Sequence, residues 1–279
     1  MKKSAVLFVA LFAAFSLGAQ NDSLTFVNGN WSSEQAGEGL VLRKCHFTDG
    51  LFNSAQNISV LEVTDRRFDL VEAPSETLWK TSEFAEEYGA VAAVNCGFFR
   101  MRKPFGSVMY YRQDREERYP NLDEHKIHGR STRQTGSVVI TDGRVFIVKN
   151  GSPMDSERYI DGEDVVTSGP LMMVGGEMED VSVEGFNTAR HPRTAIGKKP
   201  DGTILLVVID GRSKGNAEGM SIFELQKVMG WLGCESALNL DGGGSSALVV
   251  GGVVVNCPSD NRKFDNAGER SVHNAIIVR

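Results

Sequence analysis

Residues 195–209 read Ala-Ile-Gly-Lys-Lys-Pro-Asp-Gly-Thr-Ile-Leu-Leu-Val-Val-Ile. Within this stretch, Ala195 to Lys198 and Ile204 to Ile209 flank the turn residues Pro200-Asp201-Gly202. Asp-Gly between runs rich in β-branched residues is a strong local signal for a β-hairpin. The stretch therefore predicts two antiparallel strands joined by a tight turn.

The same pattern occurs on both sides of this hairpin. Asp142-Gly143 separates Ser137 to Ile140 from Val145 to Val148, and Gly251-Gly252 separates Ala247 to Val250 from Val253 to Asn256. Both patterns predict hairpins, so the sheets should be largely antiparallel. Single strands are also predicted at Ile58 to Val63, Ala90 to Val94, Ala237 to Leu240 and Asn274 to Val278.

Helix signals are few. Ser221 and Glu224 form a capping box, apolar residues follow at helical spacing, and Gly233 ends the pattern. A shorter helix is predicted to begin at Thr81 or Ser82, which are candidate N-caps, and to run through Tyr88. The predicted fold class is α+β: a largely antiparallel mixed sheet with few helices and a functional site at strand ends.

Composition limits the class of protein. The chain has 279 residues, of which 41% are hydrophobic and 24% charged, which is typical of a globular protein. A formal net charge of -6 argues against a nucleic-acid partner. The 30 glycines against 8 prolines indicate many tight turns and favour a β-rich fold.

The first residues resemble a targeting signal. Met1-Lys2-Lys3 is positively charged, Ser4 to Leu17 is apolar, and small residues follow up to Ala19. This pattern predicts a secretory signal peptide over residues 1–19 and export to the periplasm or the cell exterior, with no membrane span. Residues 20–57 are then interpreted as an N-terminal lead and first strand, and residues 58–279 as the main domain.

The four cysteines leave their redox state open. An exported protein can form disulfides, and four cysteines allow three pairings. One or two bridges and buried free thiols are both compatible with the sequence. The spacing does not match a structural zinc site. The four residues are Cys45, Cys96, Cys234 and Cys257.

The main candidate for a functional loop is Asn239-Leu240-Asp241-Gly242-Gly243-Gly244-Ser245-Ser246. A predicted strand places a carboxylate, Asp241, next to three glycines and two hydroxyls. Glycines allow the backbone to approach a ligand closely and to present its N–H groups. The stretch does not match a P-loop, a nucleophile elbow or an EF-hand.

Four more segments place polar residues beside glycine at predicted strand ends. Arg190 to Gly197 contains His191 and Arg193, and Asp210-Gly211-Arg212 follows an apolar run. The other two are Asn95 to Phe99 and Ser168 to Pro170. Arginines suit phosphate or carboxylate ligands. Residues 100–133, which are rich in Lys and Arg, are either a solvated loop or a substrate-facing flap whose cations contact a phosphate.

These motifs together resemble those of the phosphodiester glycosidase family. The resemblance covers about residues 58–279 and rests, in family order, on Asn95 to Phe99, Ser168 to Pro170, Arg193 to Gly197, Asp210 to Arg212 and Asn239 to Ser246. One departure is Cys96, where the family usually has glycine. The resemblance implies an exported hydrolase that cleaves the glycosidic bond of a sugar-1-phosphodiester, such as an N-acetylglucosamine-1-phospho-sugar, and releases sugar and a phosphomonoester.

The site roles are hypotheses that follow from this resemblance. Asp241 is assigned as nucleophile, base or electrostatic stabiliser, Asp210 as a second carboxylate, and Arg193 with Arg212 as clamps for the anionic diester. Asn95 and Ser245 would orient sugar hydroxyls or phosphate oxygens, and His191 is a candidate proton donor. The remaining predicted substrate-binding residues are Gly97, Ser168, Gly243 and Gly244.

Two other functions remain open at this point. One is a non-catalytic module that binds phosphorylated glycans. The other is a metal-dependent phosphodiesterase that uses Asp210 and Asp241. The predicted partner in each case is a phosphorylated glycan or sugar phosphodiester. No cofactor is predicted, and the use of a divalent cation is left open.

Overall fold

The computed structural model describes residues 21–121, 131–151 and 155–279. The predicted signal peptide at residues 1–19 and part of the predicted flap at 100–133 therefore lie outside the described residues. The helices are α1 (residues 21–27), α2 (Thr81–Glu87), α3 (Gly185–Thr188) and α4 (Ile222–Trp231). No described helix has the length and apolar character needed to cross a bilayer.

The strands of the described chain are β1 (Ser32–Gly37), β2 (Leu40–Phe47), β3 (Gln56–Val63), β4 (Phe68–Glu72), β5 (Ala92–Asn95), β6 (Tyr111–Gln113), β7 (Glu116–Tyr119), β8 (Gly136–Thr141), β9 (Arg144–Lys149), β10 (Asp164–Ser168), β11 (Leu171–Val174), β12 (Glu177–Met178), β13 (Arg193–Lys198), β14 (Ile204–Ile209), β15 (Ser236–Asn239), β16 (Leu248–Val250), β17 (Val253–Val254) and β18 (Asn274–Val278).

The strands form three sheets. The largest has eight strands in the order β1-β2-β3-β14-β13-β15-β11-β12. Two five-stranded sheets have the orders β7-β6-β10-β8-β9 and β17-β16-β5-β18-β4. Every pairing between these strands is antiparallel. The prediction of an α+β fold with largely antiparallel sheets is therefore confirmed.

The predicted hairpins are present. β13 and β14 pair from Arg193↔Ile209 to Lys198↔Ile204, around the predicted turn. Asp142 and Gly143, both at positive φ, close the β8–β9 hairpin with a two-residue turn. The third hairpin, β16–β17, is shorter than predicted because the chain turns inward at Asn256, which is buried.

The long helix begins and ends as predicted. The Glu224 backbone N–H donates to Ser221 Oγ at 3.2 Å, and the Ser221 N–H donates to Glu224 Oε2 at 2.8 Å. The short helix α2 instead has Lys80 as its N-cap, and the Lys80 N–H donates to Glu83 Oε2 at 2.6 Å. Thr81 is completely buried as the first helical residue, so it does not act as the predicted cap.

The three largest hydrophobic clusters of the described core define the layers, and a small fourth cluster contains Tyr110, Val139 and Val165. The central cluster joins all three sheets through residues such as Leu206, Val94 and Val166. A second cluster lies between the other face of the largest sheet and helices α1 and α4, and a third lies between the β5-containing sheet and α2. The segment of residues 20–57, which the sequence analysis separated from the main domain, contributes Phe26, Cys45 and Phe47 to the second cluster. Its strand β2 pairs with β3 in the largest sheet.

The cysteines are all free thiols in the structure. Cys45, Cys96 and Cys234 are buried, whereas Cys257 is partly exposed. Of the two alternatives left open by the sequence, the structure therefore shows free thiols.

The site lies where strand ends of different sheets meet. β5 ends at Asn95 opposite Ala275, near the start of β18. In the largest sheet, Asn239 at the end of β15 pairs with Ala195 near the start of β13. Hydrogen bonds between the two sheets at these ends bring the loop after β5 against the loop after β15.

Candidate functional site

Two hydrogen bonds hold the Asp241 backbone, one to the side chain of the last residue of β5 and one to the backbone of the next residue. The Asp241 N–H donates to the Cys96 carbonyl oxygen at 2.8 Å. Its own carbonyl oxygen accepts from Asn95 Nδ2 at 2.6 Å. Because both backbone groups are fixed, the direction of the partly exposed Asp241 side chain is also restricted.

Asn95 itself is completely buried and joins three segments of the chain. Its Oδ1 accepts from Thr194 Oγ1 at 2.9 Å and from the Ala247 N–H at 3.1 Å. The side chain therefore supports the Asp241 loop from behind. The role in orienting a substrate that the sequence analysis assigned to Asn95 stays a prediction.

The Asp241 carboxyl has a raised pKa of about 6. Burial is the main cause, and the Ser245 hydroxyl, the charge of Arg270, the Gly242 N–H and the charge of Arg133 partly oppose it. Burial disfavours the charged carboxylate, while nearby donors and cations favour it. The group is thus mainly ionised above pH 6 and protonated below it.

Arg212 and Arg270 lie against the glycines that follow Asp241. A Cβ on Gly243 would be 2.8 Å from Arg212 Nη2, and one on Gly244 would be 2.5 Å from Asp260 Oδ1. Arg270 forms an ion pair with that Asp260 oxygen, at 3.0 Å from Nε and 2.5 Å from Nη2. The glycine run is therefore required for the close approach of these side chains.

Arg212 is exposed and shares the electrostatic environment of Asp241. Burial of part of the side chain and the charge of Arg270 lower its pKa, whereas Asp260 and Asp241 raise it. Because the charges of Arg212, Arg270 and Asp241 affect one another's pKa values, we treat these three side chains as one charged group.

Arg133 is the third arginine whose charge is linked to this group. Its guanidinium carbon lies 4.4 Å from the ring centre of Phe186 and 5.4 Å from that of Phe98. Such contacts stabilise a cation at an aromatic face. Because the charge of Arg133 also lowers the pKa of Asp241, and Arg212 and Asp241 influence each other's charge, three guanidinium groups lie near one ionisable carboxyl. We call Arg133, Arg212 and Arg270 the arginine ring.

Arg193 differs from the predicted phosphate clamp. It is 1% exposed, and it donates from Nε to the Met220 carbonyl at 2.9 Å and from Nη2 to the Phe186 and Ala189 carbonyls at 2.8 Å each. Burial lowers its pKa to about 10, and the charge of Arg133 contributes to the decrease. Its guanidinium therefore fastens the segment around α3 to the sheet.

Asp210 is also enclosed, at 1% exposure. Its Oδ2 accepts from Asn57 Nδ2 at 2.7 Å, its Oδ1 accepts from Asn256 Nδ2 at 2.8 Å, and the Cys257 N–H lies 3.0 Å from both oxygens. Both oxygens of the Asp210 carboxyl group therefore accept hydrogen bonds from the protein. The role of Asp210 as a second reacting carboxylate stays a prediction.

The other predicted residues fall into two groups. Ser168 and Gly97 are parts of the frame: Ser168 Oγ donates to the Asn239 carbonyl at 2.9 Å, and the Gly97 N–H donates to Asn274 Oδ1 at 2.6 Å. Ser245 and His191 lie closer to the charged group. Ser245 is buried beside Asp241, and His191, partly exposed, has a pKa lowered by burial and by the charges of Arg193 and Arg212.

The sequence analysis missed Arg270 and Asp260 and treated Arg133 only as part of a basic segment. Arg270 follows Gly268-Glu269 shortly before the predicted last strand. It therefore has the same pattern, a polar residue near glycine at a strand end, that identified the other segments. Arg133 has no comparable signal, because its position depends on packing against Phe98 and Phe186.

In residues 21–121, 131–151 and 155–279, no group of three or more His, Cys, Asp or Glu side chains is placed to hold a metal ion. The described residues near the glycine loop include the carboxyl groups of Asp241 and Asp260 and the guanidinium groups of the arginine ring.

The fold and the site together define the class of protein: an antiparallel α+β protein with an ionisable carboxyl and three guanidinium groups near its strand ends. A family model of phosphodiester glycosidases matches residues 88–279. The chain belongs to the phosphodiester glycosidase family.

Matches to individual relatives cover a smaller part of the chain than the family model does. The chain is 27% identical over 124 residues to the N-acetylglucosamine-1-phosphodiester alpha-N-acetylglucosaminidase of Mus musculus. The matched region is 44% of this chain and 22% of that protein. The chain is 41% identical over 71 residues to an uncharacterized prophage-derived protein of Bacillus subtilis (strain 168), over 25% of this chain and 11% of that protein. The chain thus matches about a fifth or less of the length of these relatives.

The fold is also similar to a solved structure. The catalytic domain of the zebrafish N-acetylglucosamine-1-phosphodiester alpha-N-acetylglucosaminidase, auto-inhibited by pro-peptide, superposes with a TM-score of 0.65 at 17% sequence identity. The match covers 89% of this chain and 83% of that one. At this identity the similarity establishes the fold.

Proposed function

We propose that this chain hydrolyses the glycosidic bond of a sugar-1-phosphodiester. In this reaction the bond between the sugar C1 and the bridging oxygen breaks, the oxygen leaves with the phosphomonoester, and water supplies the new hydroxyl at C1. The observation that carries the proposal is the Asp241 carboxyl next to a glycine loop against which Arg212 and Arg270 lie, with Arg133 also influencing its charge.

The arginine ring suits the diester part of the substrate. A phosphodiester carries one negative charge at neutral pH, and guanidinium groups bind phosphate oxygens with charge-assisted hydrogen bonds. Arg212 and Arg270 lie on the glycine loop, and Arg133 lies on its aromatic support. The three side chains would hold the phosphate next to Asp241 and stabilise the charge that it gains as it leaves.

Asp241 suits the sugar part. Cleavage of a glycosidic bond passes through a transition state that resembles an oxocarbenium ion, which a nearby carboxylate stabilises. The ionised Asp241 would act as nucleophile, base or electrostatic stabiliser at C1. A phosphomonoester is already a fair leaving group, so the reaction depends less on a strong general acid.

The buried residues have a supporting role in this proposal. Asp210, Arg193, Asn95 and Ser168 hold the loops that carry the reacting and binding groups. Of the predicted site residues, Asp241 and Arg212 are the ones that we propose to contact the substrate directly. Ser245 and His191 stay candidates for orienting the substrate because they adjoin these two side chains.

The substrate to test first carries N-acetylglucosamine, the sugar specified by the name of the mouse relative. Export is part of the same proposal, since residues 1–19 have the pattern of a signal peptide. N-terminal sequencing of the protein recovered from the periplasm or medium is expected to begin at Gln20.

Product analysis tests the reaction. The mature protein is incubated with an N-acetylglucosamine-α-1-phospho-sugar diester, in parallel with Asp241→Asn and with the control Asp49→Asn, which changes an exposed carboxylate away from the site. Free sugar and a phosphomonoester are expected from the wild type and the control. The Asp241→Asn rate should fall by at least about a hundredfold.

Other products would contradict the proposal. Sugar-1-phosphate would mean cleavage on the other side of phosphorus, as in a phosphodiesterase. Saturable binding of a range of diesters without any product would indicate a phosphoglycan-binding module. Full activity of Asp241→Asn would exclude the assigned role of that carboxyl.

A further inference from the structure

His273 is a buried histidine that the proposed mechanism does not use. It is 3% exposed and lies directly before Asn274, the first residue of β18. Its ring stands nearly perpendicular to the rings of two tyrosines, with centres 6.0 Å from that of Tyr111 and 5.1 Å from that of Tyr119. Because the ring is packed in this way, each of its two nitrogens faces a fixed partner.

The loop after β5 fixes the orientation of the Asn274 amide. The Gly97 N–H donates to Asn274 Oδ1 at 2.6 Å. Because a backbone N–H can only donate, the oxygen of this amide must face Gly97 and its NH₂ group must point elsewhere. That group, Nδ2, lies 3.0 Å from His273 Nδ1. His273 Nδ1 therefore accepts a hydrogen bond, and it can do so only without a proton.

The other ring nitrogen faces oxygen atoms. His273 Nε2 lies 3.3 Å from Tyr119 Oη and 3.7 Å from Glu72 Oε2. With Nδ1 unprotonated, the neutral ring carries its proton on Nε2, from which it can donate toward these oxygens. Burial and the charge of Arg100 lower the pKa of His273 to about 4, so the ring is neutral at neutral pH. The partners on both sides of the ring thus favour the same tautomer.

The hydrogen bonds of Asn274 continue to Asp241 through the backbone of the loop after β5. Asn274 holds Gly97, which directly follows Cys96. The Cys96 carbonyl accepts the Asp241 N–H at 2.8 Å. A Cβ on Gly97 would lie 3.3 Å from Asn274 Oδ1 and 2.9 Å from Val166 Cγ2, so the loop is closely packed here. A rotation of the Asn274 amide would therefore displace the carbonyl that holds Asp241.

We propose that His273 is a positioning residue for the cleavage of the glycosidic bond. In its Nε2–H form it accepts from Asn274 Nδ2, which keeps Asn274 Oδ1 on the Gly97 N–H and keeps Asp241 aligned with the sugar C1. Because His273 is buried, it acts through these partners and exchanges no proton with the substrate. The inference rests on the proposed function for its effect on catalysis, whereas the tautomer and the loop geometry do not depend on it.

Two substitutions distinguish the two ring nitrogens. An asparagine side chain places its amide near the position of Nδ1, whereas the longer glutamine side chain places its amide near that of Nε2. His273→Asn therefore keeps an acceptor for Asn274 Nδ2, and His273→Gln keeps only a polar group beside Tyr119. Both variants remove the ring that packs between the tyrosines, so both should lose stability.

Activity is expected to follow the acceptor at Nδ1 and not the stability. With the N-acetylglucosamine-α-1-phospho-sugar diester, His273→Gln should lose about tenfold or more in kcat, because a displacement of the reacting group by about 1 Å can cost up to about a hundredfold. Its KM should stay within about threefold, since Arg212 and Arg270 lie against the glycine loop. His273→Asn should keep kcat within about threefold of the wild type. Equal losses of kcat in the two variants, or wild-type kcat in His273→Gln, would overturn the inference.

Nuclear magnetic resonance tests the same inference without catalysis. In protein labelled with ¹⁵N in its histidine side chains, the ring signals that disappear in His273→Asn belong to His273, and they should show a protonated Nε2 and an unprotonated Nδ1. The amide signals of Gly97 and Asp241 should move in His273→Gln and much less in His273→Asn. A proton on Nδ1, or unchanged amide signals in His273→Gln, would overturn the inference. An uncleaved diester together with the expected signals would contradict the proposed reaction and still support the positioning of the Asp241 backbone by His273.

Discussion

The Asn95 side-chain amide donates to the Asp241 backbone carbonyl at 2.6 Å, across 146 positions of sequence. The Asp241 N–H returns to the same loop, at the Cys96 carbonyl. One residue belongs to the sheet that contains β5 and β18, and the other follows β15 of the largest sheet. The reacting carboxyl of the proposed mechanism is therefore positioned by the contact between two sheets.

Removal of the Asn95 amide should destabilise the whole protein. Asn95→Ala leaves the Thr194 hydroxyl, the Ala247 N–H and the Asp241 carbonyl without their partner in a buried place. We expect the free energy of unfolding to fall by roughly 3 kcal/mol, because each buried polar group that loses its partner is costly. Urea unfolding measures this change. A loss below about 0.5 kcal/mol, the usual range for surface substitutions, would contradict the supporting role.

A substitution at Asp210 tests whether this residue stabilises the fold or takes part in catalysis. Asp210→Asn replaces one acceptor oxygen by an NH₂ group that faces the donors of Asn57, Asn256 and Cys257. We expect the free energy of unfolding to decrease by about 2 kcal/mol or more. Turnover per folded molecule should stay within about threefold of wild type, since the group does not reach the substrate. Urea unfolding and kcat, both measured well below the melting temperature, check the two parts.

A large loss of kcat in folded Asp210→Asn protein would restore Asp210 as a second reacting carboxylate. The matched comparison is Asp241→Asn, for which the opposite pattern is expected. That variant should lose activity without a loss of stability at neutral pH, because the substitution removes a charge that burial disfavours.

Much of the fold could be predicted from local sequence. The hairpin of β13 and β14 and the capping box of α4 are determined by residues close together in the chain, so pattern alone located them. The N-cap of α2 was assigned to the wrong residue, because the cap is Lys80 and Thr81 is buried as the first residue of the helix. The order of strands within three sheets depends on contacts distant in sequence and was not predicted.

The site was predictable only to the level of segments. The pattern of polar residues beside glycine found the loops that meet at the strand ends, including Asp241 and Arg212. It could not tell which polar side chains face outward, because Asp210 and Arg193 have the same sequence context as Arg212 but are saturated by buried partners. Burial decides between a binding group and a supporting group, and burial depends on the assembled fold.

The glycine at position 244 should be needed for activity more than for folding. Gly244→Ala places a Cβ 2.5 Å from Asp260 Oδ1, so the ion pair of Asp260 and Arg270 must move away from Asp241. We expect KM to rise at least about tenfold through loss of one phosphate contact. Steady-state kinetics with the diester measures this effect.

The control for this variant is Gly230→Ala in helix α4. A Cβ there would meet only the flexible end of Met178, at 3.4 Å, and alanine favours a helix. Its KM should match that of the wild type. If Gly244→Ala also keeps the wild-type KM, then Arg270 does not bind the phosphate.

The activity should depend on pH through Asp241. Its pKa is raised to about 6, chiefly by burial, and the proposed mechanism requires the ionised form. As the pH falls through 6 the carboxylate gains a proton, so kcat/KM should decrease, approaching about tenfold per pH unit at lower pH. The substrate phosphodiester stays anionic over this range, so its own protonation does not produce the limb. Measurement of kcat/KM between pH 4.5 and 8 should locate the midpoint near 6, and the residual activity of Asp241→Asn should lack this acid limb. Activity that instead declines above pH 6 would mean that the protonated carboxyl is the active form and that Asp241 donates a proton to the leaving oxygen.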